Sequence, residues 1–177
     1  MTRMKAWKAA LVLPLATAGT MLVTSEPAHA DDRVCRGTMG SGYVDGNVVV
    51  PRGATCTMLG TRVDGNVQVR AGALLHAAKV RVGGDIQAEN ARRVAVIGKD
   101  GVRARVSGNI QLDDTREGGR IKWVNTGGDI QLFSNRGRFE VRGNRVDGNL
   151  QCKGNVPRPV GGGNRVEGNK EDQCRGL

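Results

Sequence analysis

One motif recurs along this chain at a nearly constant interval, and such a repeat restricts the possible folds more tightly than any composition does. Seven segments carry it: VDGNVVV from Val44, VDGNVQV from Val63, VGGDIQA from Val82, VSGNIQL from Val106, TGGDIQL from Thr126, VDGNLQC from Val146 and VEGNKED from Val166. Their glycines (Gly46, Gly65, Gly84, Gly108, Gly128, Gly148 and Gly168) are spaced 19, 19, 24, 20, 20 and 20 residues apart. A unit this short cannot bury an apolar face alone, so successive units must stack on one another.

Inside each repeat the periodicity is two. The residue two before the glycine is Val in six repeats and Thr126 in the seventh. The residues two and four after it are mostly apolar, as in Val67/Val69, Ile110/Leu112 and Ile130/Leu132, with Gln68, Gln87, Gln111, Gln131 or Gln151 between the pair. That alternation marks a strand with one buried face. The pattern predicts an all-β, single-domain parallel β-helix (solenoid) of about seven coils of ~20 residues, and the unequal coil lengths point to the right-handed form.

Finer expectations follow. The Gly-Asn or Gly-Asp step should turn through left-handed backbone, which both residue types tolerate. Stacked Asn and Gln columns should bond as side-chain ladders. The long interval between Gly84 and Gly108 should expel Lys99-Asp100-Gly101 as a loop, and Pro157-Arg158-Pro159 with Gly161-Gly162-Gly163 should replace a strand. A narrow core of small aliphatic residues suits a chain with 27 glycines and only two Trp, one Tyr and two Phe. Glycine without a three-residue period excludes collagen, and the regular Val, Ile and Leu positions argue against disorder.

Residues 1–30 read as a secretory signal peptide. Arg3, Lys5 and Lys8 precede an apolar run from Ala9 to Val23, and Ala28-His29-Ala30 offers a small-x-small cleavage site after Ala30. No stretch of residues 31–177 is long and apolar enough to span a membrane. That segment carries 24 Lys and Arg against 16 Asp and Glu, a net charge of +8. Such a balance favours acidic partners: an anionic cell-wall polymer, a polysaccharide or an anionic surface. No motif selects a specific nucleic acid.

All four cysteines, Cys35, Cys56, Cys152 and Cys174, fall within 31–177. An even number in an exported chain implies two disulfides in one of three pairings. Pairing of neighbours, Cys35–Cys56 and Cys152–Cys174, is the simplest and would staple the two terminal coils. Without a CxxC, and with His76 the single histidine of this segment, thiol or zinc chemistry has no support.

The VxGNVQV segments and the closing GGGNRVEGNKEDQC resemble secreted repeat proteins of unknown function from actinobacteria, over nearly all of residues 31–177. The resemblance implies a solenoid and brings no activity with it. The G-[DN]-hydrophobic strand pattern is also similar, more weakly, to bactofilins, whose short β-helices polymerise into filaments; that likeness implies self-association.

Signals for chemistry are sparse. Ser41, Ser107 and Ser134 are the serines of residues 31–177, and none stands beside His76 in sequence, so a nucleophile–base pair is not indicated. Asp113, Asp114 and Glu117 form the one tight acidic group, a candidate for carboxylate catalysis or calcium. More organised is a basic column. The residue three before each repeat glycine is Arg62, Arg81, Arg105, Arg145 or Arg165, with Tyr43 and Asn125 at the two other levels. Alternation from the buried Val turns these arginines outward, and Asp45, Asp64, Asp147 and Glu167 two residues on are candidate ion-pair partners. Trp123, with Phe133 and Phe139 among Arg120, Lys122, Arg136, Arg138 and Arg142, suggests an aromatic–basic patch. The reading is therefore a secreted, non-enzymatic solenoid with a structural or binding role at the cell envelope or outside it, with no cofactor. The alternatives are a self-assembling extracellular scaffold and a small carbohydrate-active enzyme.

Overall fold

The computed structural model describes residues 32–177, so the proposed signal peptide and its cleavage site lie outside the described residues. Every regular element among them is a strand, and all strand-to-strand pairings are parallel. Three sheets run the length of a β-solenoid, one of eight strands and two of seven. Each coil contributes one strand to each sheet in turn. We call them the arginine sheet (Tyr43–Val44 through Arg165–Val166), the glutamine sheet (Arg33–Val34 through Lys170–Asp172) and the back sheet (Gly37–Met39 through Val160–Gly162). No helix of the described residues is long and apolar enough to cross a membrane.

The repeat register is the sheet register: Ile86 pairs with Ile110, Ile110 with Ile130, and Ile130 with Leu150. Inward residues from all three sheets make one continuous core, including Val82, Val106, Ile110, Leu112, Ile121 and Val141. One aromatic side chain joins this core. Phe139 is fully buried, and its ring occupies space left by Gly119, its register partner in the preceding coil, where a Cβ would fall 2.9 Å from Phe139 Cε1.

Neighbour pairing of the cysteines is what the fold contains: Cys35–Cys56 and Cys152–Cys174, each joining a terminal coil to the next. The long third interval is accommodated by a small hairpin in which Lys99 and Val102 exchange backbone hydrogen bonds of 2.9 and 3.0 Å. The glycine-rich stretch after Pro159 departs from expectation. Val160–Gly162 is a strand, paired with Glu140, Val141 and Arg142, because Gly161 lies so close over Val141 that a side chain there would strike its carbonyl.

The Gly-Asn turns correct a second expectation. Of the seven repeat glycines only Gly46 has positive φ. The others are glycine for want of space, since a Cβ at Gly65, Gly84, Gly108, Gly128, Gly148 or Gly168 would run into the side-chain Oδ1 of the Asn or Asp one coil earlier. Each such Oδ1 accepts the backbone N–H of the equivalent residue in the next coil, from Asn66 to Asn47 (2.8 Å) through Asp129 to Asn109 (2.8 Å) and Asn169 to Asn149 (2.8 Å). The column is thus a side-chain-to-backbone ladder. Asp85 and Asp129 replace Asn without loss because only the carbonyl-type oxygen is used. The glutamine column bonds along its length only from Gln131 to Gln151 to Glu171 (3.1 and 3.0 Å), whereas Gln87 and Gln111 donate to Asp85 and Asp113 within their own coils.

Candidate functional site

The arginine sheet is built from strands of two or three residues, so each level offers one outward side chain beside one or two inward ones. Val63, Val82, Val106 and Val146 point inward and are buried. Their neighbours Arg62, Arg81, Arg105, Arg145 and Arg165 are all exposed. Register pairs them directly: Arg62 with Arg81, Arg81 with Arg105, and Arg145 with Arg165, while Asn125 interrupts the column between Arg105 and Arg145. Parallel strands therefore bring these guanidinium stems to a spacing of ~4.8 Å per level.

The carboxylates proposed from sequence as partners do not take that role. Ion pairs among the described residues are Lys79–Asp100, Arg93–Glu117, Lys122–Glu140 and Arg142–Glu140, and none includes an arginine of the column. Asp64 instead accepts the Tyr43 hydroxyl at 2.8 Å, a bond that raises the phenol's pKa above its ordinary value, helped by burial and the same carboxylate's charge. Arg62 stands over the Tyr43 ring at 5.9 Å. At the central levels the turn position holds Gly83, Ser107 and Gly127, so Arg81 and Arg105 have no acidic residue there at all.

The aromatic–basic patch does not assemble. Phe139 is in the core and Phe133 is half-buried on the glutamine sheet, while Trp123 sits 46% exposed at the corner between the back and arginine sheets. Glu140 takes up part of the basic charge, bonded to Lys122 at 3.0 Å and 3.5 Å from Arg142. The Lys122 bond, foremost, holds its carboxyl below the usual range despite the cost of burial. Trp123 does meet the arginine column: with Arg103, Arg142, Arg145 and Arg165 it lines a shallow hollow of about 390 Å³.

Arg103 is a site residue that sequence reasoning missed. Its Nη1 donates to the Gly143 carbonyl at 2.8 Å, and its Cζ lies 5.4 Å from the Trp123 ring centroid. Burial and the nearby Arg145 both lower its guanidinium's pKa. The available signal was positional: Arg103 and Trp123 each stand immediately before the inward residue that opens an arginine strand, Ala104 and Val124.

The acidic group is dispersed. Glu117 reaches Arg93 at 3.8 Å, Asp114 is exposed on a left-handed corner, and Asp113 is half-buried beside Glu89, its register partner. Burial, foremost, raises the Asp113 carboxyl above its ordinary value, and its Oδ1 has no hydrogen-bond partner. Among the described residues no group of three or more His, Cys, Asp or Glu is placed to hold a metal ion. His76 stands in register between Thr57 and Ala95. Comparison with protein-family models, curated proteins and solved structures found no match to this chain.

Proposed function

We propose that this protein is a secreted, non-enzymatic β-solenoid that lays its arginine sheet along a linear anionic polymer at the cell envelope or outside it. The observation that carries the reading is the column Arg62, Arg81, Arg105, Arg145 and Arg165, in register, exposed and without a carboxylate partner among the described residues. Like charges at neighbouring positions of a sheet repel, so the column costs the isolated protein stability. A polyanion converts that cost into binding, and guanidinium groups suit bidentate contact with carboxylate, sulfate or phosphate. The apolar leader read in residues 1–30 and the two disulfides support export.

The test is retention of the disulfide-intact protein on purified wall polymers and anionic polysaccharides at two salt concentrations. Retention should fall as salt rises, because surface charges are screened. Arg81→Ala combined with Arg105→Ala should weaken low-salt binding by about tenfold, the product of two exposed contacts of roughly 0.7 kcal/mol each. Salt-insensitive retention, or none on any polyanion, would sink the reading.

A further inference from the structure

Trp123 is out of keeping with its position. At this corner the backbone is left-handed, and other coils fill it with Gly60, Gly143, Gly163 and the slender, flexible Lys79. Trp123 adopts φ 55 at the same turn, a conformation that bulky residues rarely hold without a reason outside local propensity. The surroundings are cut to fit it. Its indole lies against Gly143, where a Cβ would come within 2.8 Å of both Cε3 and Cζ3, and Gly98 in the preceding coil clears its Cβ. The one insertion in the solenoid, the Lys99–Val102 hairpin, stands beside it, and Val102 and Trp123 border a second notch of about 500 Å³.

On the other side, the hollow shared with Arg103, Arg142, Arg145 and Arg165 has no carboxylate in its lining, and its floor is the side-chain-free backbone of Gly143, Gly162 and Gly163. Arg103 is held in place by its bond to the Gly143 carbonyl. A half-exposed indole beside clustered guanidinium groups over an open backbone floor suits a ring with an apolar C–H face and an anionic substituent. Platforms for single-stranded nucleic acid use several aromatics to stack successive bases. This corner has one.

Resting on the polyanion reading above, we infer that the corner formed by Trp123, Arg103, Arg145 and Arg165 is a subsite for one acidic sugar ring, a pyranose bearing a carboxylate or sulfate, so that the polymer is an anionic glycan. The sugar packs on the exposed part of the indole, and its acidic group meets Arg145 and Arg165. The arginine column then carries the rest of the chain along the rod.

The test uses the full oxidised chain carrying Trp7→Phe, which makes Trp123 its sole tryptophan, and reads its fluorescence. Trigalacturonate or a sulfated heparin disaccharide should shift the emission saturably, whereas maltotriose, neutral and of similar size, should not. Trp123→Gly supplies the residue that other coils already use at this corner, so the fold is retained. It should weaken binding of polygalacturonate or heparin by about tenfold, the scale of one lost stacking contact, and leave binding of ring-free polyphosphate unchanged. An equal response to maltotriose would overturn the requirement for charge. Glycan binding that survives Trp123→Gly but falls with Arg81→Ala plus Arg105→Ala would overturn the subsite and leave the arginine face standing. Absence of binding to every polyanion would overturn both.

Discussion

The asparagine column shows how one atom fixes a residue choice. Asp129 Oδ1 accepts the Asn149 backbone N–H at 2.7 Å, and Gly148 is glycine because that oxygen occupies the space of its Cβ. Acceptor geometry matters and charge does not, which is why both Asn and Asp serve in the column. Asp129→Asn should therefore change stability by less than about 0.5 kcal/mol, whereas Asp129→Ala should cost about 1–2 kcal/mol by stranding a part-buried N–H. Urea unfolding midpoints of the two variants check this, and equal losses would show that the oxygen is not the essential feature.

Single strands of two or three residues have little stability alone, and the elements of this fold persist because corners and ends are pinned. Two inner ladders do this in the C-terminal half. At one corner Asn135 and Asn155 are buried, with the Asn135 N–H and Nδ2 both donating to Asn155 Oδ1 at 3.1 and 2.9 Å. At the next corner Asn144 and Asn164 repeat the arrangement. Both pairs are 20 residues apart, a spacing readable in the sequence. That their side chains point inward was not, because nothing local separates a buried asparagine from one in a solvated turn. The last strand of the glutamine sheet adds no apolar side chain to the core, since Lys170 and Asp172 take the places of Leu150 and Cys152. The Cys152–Cys174 bond closes a 22-residue separation. Replacing both cysteines with serine should cost about 2–4 kcal/mol, with hydrogen-exchange protection lost first in residues 164–177. Uniform loss of protection along the rod would mean that the coils do not fray independently.

For the whole molecule, a stacked solenoid poses the problem of its ends, where strand edges invite pairing with another copy. The C-terminal end is closed: after Lys170–Asp172 the chain turns back, burying Cys174 and packing Leu177 against the core. Head-to-tail growth needs both ends open. Sedimentation velocity over a wide concentration range should accordingly show no series of growing species, and such a series would restore a filament-forming scaffold.

Stacking, strand direction and the outward arginine column follow from the repeat itself, whereas the choice among three cysteine pairings is settled by the fold. A constant interval forces equivalent residues into register, and a period of two decides which of them face water. Other features depend on what lies one coil away, and linear order does not carry that. Gly65 and its equivalents give way to a side-chain oxygen from the preceding coil, and Phe139 enters a core of aliphatics because Gly119 leaves it room. Arg103 reaches past Trp123 to a carbonyl 40 residues on. The repeat determines the rod and its charged face. Contacts between coils, set by the volume each side chain leaves for the next, decide where that face acquires the corner built around Trp123 and Arg103.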